Sequence, residues 1–344
     1  MISNPSVETF GAYTSFPEET SCWIISDGKA GNLTQSVGVT EALGLAAEIK
    51  DIAPSRASKL FAPYGRVAKS EHFGASGSTF APPWPDIAIA CGRLTTPYIR
   101  TLRRVSGLKT YTVVLLDPKT GPNTADLFWV PEHDKRRGGN VITTLTSPHR
   151  FSPDRIAGLR QSVPAEIAAL PQPRIAVLIG GPNGDYKYSW EDEGRLIAVL
   201  SDLAQLPVGL MITCSRRTPP AIARLVETAT RGARRILFDG EGDNPYPNFL
   251  AHADAFVVTA DSVNMVGEAC VTGRPVHVFF PRGGSAKFTR FHKALAQRGA
   301  TRPLVTAADV LQSWRYEPLY SATTIAAEIR RRYLRRRAVL GNLM

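Results

Sequence analysis

Arg174-Ile-Ala-Val-Leu-Ile179, followed at once by Gly180-Gly181-Pro182-Asn183-Gly184, is the stretch that decides the fold. Its apolar run is short and bounded by turn residues, which suits a strand covered on both faces. The glycines mark a tight turn, and after a short polar insert a helical pattern runs over 190–203. Strand, glycine turn and helix in that order is how an α/β domain opens. The same order occurs earlier in the chain. Cys22-Trp-Ile-Ile-Ser26 runs into Asp27-Gly28-Lys29-Ala30-Gly31-Asn32, and a helical pattern follows over 35–45.

Working outward, further strands are predicted at 86–90, 110–115 and 126–130, with a helix at 95–104. The second half has strands at 209–213, 235–238, 255–259 and 275–280, and helices at 219–230, 247–252, 262–271 and 287–298. Two rounds of alternation predict an α/β chain with two Rossmann-like, doubly wound domains. The expected domains are 18–165 and 172–310, with a hinge near 163–173, where Pro164, Pro171 and Pro173 punctuate the chain. The stretch 54–85 lacks periodicity and is expected to wrap the surface. Residues 318–340 are expected to form a basic helix that packs back on the first domain. Ile325, Ile329 and Tyr333, extended by Leu340, would line its apolar side.

A length of 344 residues fits two domains of ordinary size, and 43% hydrophobic with 21% charged residues is a globular composition. No apolar run approaches the roughly 20 residues needed to span a bilayer. Residues 1–20 lack a basic start and an apolar segment and carry Glu8, Glu18 and Glu19, which argues against a signal or transit peptide. Cys22, Cys91, Cys214 and Cys270 are scattered and form no C-x-x-C pair, so neither zinc nor a disulfide framework is expected. A reducing, cytoplasmic compartment follows. The net charge of +11 is partly concentrated in Arg330-Arg331-Arg332-Tyr333-Leu334-Arg335-Arg336-Arg337. Such a run suits phosphorylated substrates or an anionic lipid surface, and equally a solvated helix end. No aromatic-rich basic motif accompanies it, so nucleic acid is not expected as a partner.

The segment richest in chemistry is Thr259-Ala-Asp261-Ser262-Val-Asn264-Met265-Val-Gly-Glu268-Ala269. Asp261 and Ser262 are good N-cap types at the end of a strand, and free amides at a helix start attract phosphate. Glu268 lies six residues after Ser262, where its carboxylate can accept hydrogen bonds from the two hydroxyls of a ribose. A capped helix with one surface Glu fits the same spacing. Gly180, Gly181 and Asn183 end one strand of the same domain, and Ser215 with Arg216 ends the next, where an arginine can grip a pyrophosphate. These residues form the expected donor side. The glycines match neither G-x-G-x-x-G nor a P-loop. On the acceptor side stand Gly28, Lys29, Gly31, Asn32, Gln35, Gly92 and Arg93, with Asp27 and His133 as candidate bases. A turn-forming Asp and a loop His with no role fit equally well. No metal site is expected.

Trp23 to Gln35, Pro131-Glu-His-Asp134, Gly180 to Asn183, Thr213 to Pro219 and Thr259 to Ala269 together resemble the ELM-type mitochondrial fission protein family. The resemblance runs from about Cys22 to about Arg302. It implies a GT-B-like architecture, with two domains facing a central cleft and the Glu268-like carboxylate on the nucleotide ribose. Family members often carry His where this chain has Asn32, and Asn cannot serve as a base. The implied function is a metal-independent glycosyltransferase that uses a nucleotide sugar as substrate and needs no cofactor. Its acceptor would be a glycan or lipid on an anionic membrane, with the protein peripheral on the inner face. The alternatives are a non-catalytic interaction protein of the same fold, recruited to membranes, and a sugar-nucleotide epimerase.

Overall fold

The computed structural model describes residues 16–341, with side chains through Val339. The first fifteen residues and the Leu340 side chain, for which the sequence raised expectations, therefore lie outside the described residues. The chain folds into two compact units. The first holds the described residues through Val130, then Arg136–Ile142 and the stretch from Ala322 onward; the second holds Pro131–Lys135 and Thr143–Ser321.

The first unit runs β1 (Cys22–Ser26), α1 (Ala30–Leu43), β2 (Ala47–Asp51), α2 (Arg56–Phe61), β3 (Ile87–Cys91), α3 (Thr96–Val105), β4 (Tyr111–Leu115), β5 (Leu127–Pro131) and β6 (Val141–Thr144). Its sheet has the order β2-β1-β3-β4-β5-β6, and the pairs from β2 to β5 are parallel. Strands β1, β3, β4 and β5 are buried at every position, which explains their unbroken apolar runs. The expected strands are found within a residue or two of their predicted bounds. Edge strand β2, Ala-Glu-Ile-Lys-Asp, carries charges on a half-exposed surface, so its pattern did not read as a strand. The stretch 54–85, expected to be a surface wrap, contributes α2 and also Phe80, which is fully buried against Trp23 and Tyr98.

The second unit runs α4 (Pro153–Arg160), α5 (Ala165–Ala168), β7 (Arg174–Ile179), α6 (Trp190–Leu203), β8 (Gly209–Cys214), α7 (Pro220–Ala229) and β9 (Arg234–Phe238). It continues with α8 (Tyr246–His252), β10 (Ala255–Thr259), α9 (Val263–Cys270), β11 (Val276–Phe279), α10 (Ala286–Gln297) and β12 (Thr301–Pro303). The sheet order is β12-β11-β10-β7-β8-β9, all parallel. This is the dinucleotide-fold order, in which the direction of winding reverses between the first and fourth strands of the domain, here β7 and β10. Helices cover both faces. One buried cluster joins Ala176, Leu178, Phe256 and Val258 to Phe249, Val266 and Phe291. The other joins Ile175, Val177 and Ile179 to Leu196, Leu200 and Val226.

Two expectations are corrected. The boundary does not fall at 163–173, because Ile156 of α4 and Ile167 of α5 are buried in the second unit's core with Phe249 and Leu250. Burial of two apolar side chains outweighs the punctuation by prolines. The stretch 143–165 thus leaves the first domain. The second correction concerns the arginine run. Helix α11 (Ser321–Gly341) buries Ile325, Ile329 and Tyr333 with Val39, Leu43 and Leu127, as its apolar stripe required. Most of its arginines then pair within the first unit. Arg331 and Arg332 hold Glu328, Arg336 meets Asp126 at 3.0 Å, and Arg330 donates to the Leu43 carbonyl at 3.0 Å. Hydrogen bonds from Arg331, seconded by Arg332, hold the Glu328 carboxyl down to about 2 against the opposing effect of burial. The run is therefore largely structural.

Ile329 is fully buried, so Ile329→Ala is expected to cost about 2–5 kcal/mol in urea unfolding. A change below roughly 1 kcal/mol would show that α11 is dispensable to that core.

Candidate functional site

Because winding reverses between β7 and β10, the loops after these strands leave toward opposite faces, and the strand ends border a crevice. Here the protein buries a carboxylate of its own, that of Asp261. The side chain of Asp261 has no solvent exposure. It accepts from the Gly181 amide at 2.7 Å, the Tyr188 hydroxyl at 2.7 Å and the Arg217 guanidinium at 3.3 Å. Asn183 donates to the Asp261 carbonyl at 3.1 Å, and Arg217 also reaches the Gly181 carbonyl at 2.9 Å. The Gly180 amide donates to Thr259 Oγ1 at 2.7 Å. Burial, then the Asp261 charge, pushes the Tyr188 phenol well above its usual range.

This network explains the glycine pair. A Cβ on Gly180 would lie 2.1 Å from Asp261 Oδ2, and one on Gly181 would lie 2.3 Å from the Arg217 carbonyl oxygen. The glycines are there for close approach by the protein itself. Three expectations shift accordingly. Asp261 does not cap a helix; the cap position is Ser262, which makes no side-chain cap bond. The amides of Gly180 and Gly181 already have acceptors, so they do not form an open phosphate cradle. Both adjacent arginines are exposed, but Arg217 bonds Gly181 and Asp261, whereas Arg216 has no partner among the described residues. Ser215 bonds Thr218 at 3.1 Å and accepts from the Arg217 amide, which shapes that loop.

Helix α9 begins beside this knot, with Asn264 and Met265 half-buried in its first turn. Glu268 follows on it and is 9% exposed. Tyr246 of α8 donates to Glu268 Oε2 at 2.5 Å; Oε1 accepts no hydrogen bond among the described residues. Burial pushes the Glu268 carboxyl up to about 7, against a smaller lowering by Tyr246. Tyr246 meets Phe151 edge to face at 5.6 Å, and Phe151 lies 6.0 Å from His149. His149 is 2% exposed, and burial holds its imidazole down at about 4. Tyr246, Phe151 and His149 were not legible in the sequence. Pro245 and Pro247 around Tyr246 were the only local signal, since the sheet alone brings α8 against α9.

A second unforeseen feature is the loop before α10. Gly283 (φ 101°) and Gly284 (φ 86°) take left-handed backbone, as glycine alone does readily, and the loop packs on Tyr186. Lys287 of α10 pairs with Asp134 at 2.9 Å, and Arg290 donates to the His133 carbonyl at 2.8 Å. His133 therefore belongs to the second unit, not to the first as expected. Burial, aided by Lys287, lowers its pKa to about 4, and its Nδ1 has no partner among the described residues, so the ring is neutral at pH 7.

In the first unit the reversal of winding lies between β1 and β3, and it too is bridged by a polar side chain. Asn32 Nδ2 donates to both Asp27 oxygens, at 3.1 and 3.2 Å, and reaches the Cys91 carbonyl at 3.4 Å. Lys29 pairs with Asp27 at 3.3 Å. Gly92 (φ 86°) leaves room for Asn32, whose Nδ2 would lie 3.0 Å from a Cβ there. Gln35 accepts from the Cys91 thiol at 3.7 Å. Gly28 (φ 74°) makes the turn and Gly31 opens α1. The structure thus gathers Asp27, Lys29, Asn32, Gln35 and Gly92, while Arg93 points away to the Lys59 carbonyl at 3.1 Å. Among the described residues no group of three or more His, Cys, Asp or Glu is placed to hold a metal ion.

Residues 30–333 match the family described as Mitochondrial fission ELM1. The chain belongs to this family. It is 30% identical over 277 residues to the mitochondrial fission protein ELM1 of Arabidopsis thaliana, a match covering 74% of this chain and 65% of the plant protein. Uncharacterized protein RP120 of Rickettsia prowazekii is 30% identical over 162 residues, 45% of each chain. The matches thus span less than two-thirds of either relative's length. Among solved structures, a UDP-glucosyltransferase from Polygonum tinctorium superposes with TM-score 0.50 at 11% identity, covering 93% of both chains. That likeness concerns the fold alone, two α/β units each built on a six-stranded sheet. No helix among the described residues is long and apolar enough to cross a membrane.

Asp261→Ala leaves the Gly181 amide and the Tyr188 hydroxyl without their acceptor, and is expected to destabilise the protein by about 3 kcal/mol or more in denaturant unfolding. Gly181→Ala, which forces a backbone shift at Arg217, is expected to cost about 1–3 kcal/mol. Unchanged stability in both variants would mean that the network does not support the fold.

Proposed function

We propose that the second unit binds a nucleotide sugar and that the chain is a metal-independent glycosyltransferase, its acceptor a glycan or lipid on an anionic membrane. The observation that carries the reading is Glu268. It is a carboxylate 9% exposed, with one tyrosine as its donor among the described residues, on the helix that follows the strand at the winding reversal. A buried carboxyl with a raised pKa, at the switch point of an open parallel sheet, supports a ligand site there. Ribose hydroxyls would donate to Oε1, and the first-turn amides of α9, with Ser262, Asn264 and Met265, would meet the diphosphate. Arg216, exposed and without a partner among the described residues, would add a charge-assisted bond.

In the transfer, an acceptor hydroxyl oxygen bonds to the anomeric carbon as the bond from that carbon to the diphosphate oxygen breaks. The diphosphate leaves with the bonding pair, and the hydroxyl proton passes to a base. Asp27, kept ready by Asn32 and Lys29, is the proposed base. A second reading, nucleotide binding without transfer, is favoured by the closed glycine loop, whose amides are bonded to Thr259 and Asp261. Turnover separates the two. Under the first reading Asp27→Asn abolishes transfer and leaves nucleotide affinity intact; under the second the wild type binds but transfers nothing.

A thermal-shift panel of UDP, GDP, CDP, CMP and their sugars tests binding. A ligand at a hundred times its dissociation constant should add about 2.7 kcal/mol of stability. Glu268→Gln should weaken it by roughly ten- to a hundredfold, as expected for losing a hydrogen bond to a charged group. Unchanged affinity in Glu268→Gln overturns the reading.

The pH dependence has a definite sign. Donated hydroxyl bonds favour the carboxylate, and with a carboxyl at about 7 binding releases a proton at lower pH. Affinity should therefore rise from about pH 6 to about pH 8 and level off above the carboxyl's value of about 7. Tyr246→Phe, which removes the donor to Oε2, should move that midpoint upward; calorimetry in two buffers would register the proton released. In the free protein the same raised pKa acts oppositely. The stabilisation from protonated Glu268 is full below about 4.5 and is lost as pH rises through about 7.

A further inference from the structure

With most of the arginines of α11 paired inside the first unit, the unpaired positive charge lies elsewhere. Residues 54–109 carry nine lysines and arginines against only Glu71 and Asp86. The two acids have partners: Glu71 accepts from Tyr98, and Asp86 accepts from Ser21 and Tyr333. Two of the arginines are structural as well. Arg100 holds the carbonyls of Pro63, Tyr64 and Gly65, pinning that loop to α3, and Arg103 meets Asp126 at 3.0 Å. Arg56, Lys59, Arg66, Lys69 and Arg104 are exposed, and none makes an ion pair among the described residues.

Apolar side chains stand out of the same basic surface. Leu60 is 76% exposed, Phe61 65% and Tyr64 66%. Helix α2 buries none of its side chains, so nothing in the fold rewards placing Leu60 and Phe61 at its end. Beside it a cavity of about 980 Å³ opens between this loop and α3, lined by Tyr64, Arg66, Lys69, His72, Arg104 and Leu108. Leu108, at the far rim, is 48% exposed.

We propose that this face of the first unit docks on an anionic phospholipid bilayer, with Leu60 and Phe61 entering the interface and Arg56, Lys59, Arg66, Lys69 and Arg104 meeting headgroup phosphates. The pairing of protruding apolar tips with a ring of free cations is what such a surface attracts. A two-fold contact with a second copy would set these cations against themselves, which disfavours self-association. Nucleic acid would use the charge but gain nothing from an exposed leucine. The proposal deepens the membrane part of the functional reading and rests on a different unit from Glu268, so either can fail alone.

The test is co-sedimentation of the full chain with vesicles of phosphatidylcholine alone and of phosphatidylcholine with phosphatidylglycerol. Binding is expected to the anionic vesicles, to weaken with salt, and to fall by roughly tenfold or more in L60S/F61S and in R66E/K69E. All the altered side chains are exposed, so melting temperatures should match the wild type, and nucleotide affinity of L60S/F61S should be unchanged. Equal binding to neutral vesicles, or binding that survives both variants, overturns the proposal. So does a wild-type dimer that L60S/F61S dissociates, which would make a second copy the occupant. Complete displacement from vesicles by millimolar inorganic phosphate would also overturn it, because the cavity would then take a free anion.

Discussion

The carboxylate of Asp261 holds together three loops that the chain keeps far apart. Its acceptor sites collect the amide after β7, the hydroxyl before α6 and the guanidinium after β8, while its own backbone follows β10. A charge with no solvent exposure is tolerable only when such donors replace water. The requirement runs in both directions. Asp261 needs a donor amide close enough to reach, and that closeness leaves no room for a side chain at position 180, while at position 181 the Arg217 backbone takes the space. A glycine pair that looks like a ligand cradle is thus first a product of packing around an internal anion.

The first unit solves the same problem with a neutral bridge. Where its winding reverses, Asn32 spans Asp27 and the Cys91 carbonyl, and Gly92 yields the space. In both sheets the strands leave polar backbone at their carboxyl ends with no further strand to satisfy it. A short polar side chain from the neighbouring turn supplies the partner. The difference matters chemically. Asp27 takes its donors from Asn32 and from Lys29, whose side chain is largely exposed, whereas Asp261 is held by a backbone amide, a tyrosine and an arginine from two other loops.

Glu268 stands apart from both. Among the described residues Asp261 has three donors to its carboxylate and Glu268 has one, although both are buried. Burial with a single donor raises the Glu268 carboxyl to about 7, against the smaller lowering by Tyr246. The second unit therefore carries a fully compensated acid and an undercompensated one a few residues apart on the same segment. Membership of the ELM1 family and the α/β fold do not by themselves assign a reaction.

The sequence by itself determined the strands and helices of both sheets, because fully buried parallel strands must be apolar along their whole length and helices must bury a stripe. It determined the apolar side of α11 for the same reason. It did not reveal β2, β6 or β12, since edge strands are half-exposed or very short and carry no pattern. It marked Glu268, Asp261 and the glycine pair as a group, yet not their roles. Those depend on side-chain direction across the sheet: Asp261 toward Gly181, Arg217 onto Asp261, Tyr246 onto Glu268. His133 and the 143–165 stretch went to the second unit because Arg290, Lys287 and the core around Phe249 hold them there. Local pattern fixes what a residue is able to do. Only the fold, by choosing its neighbours, decided which of those things it does.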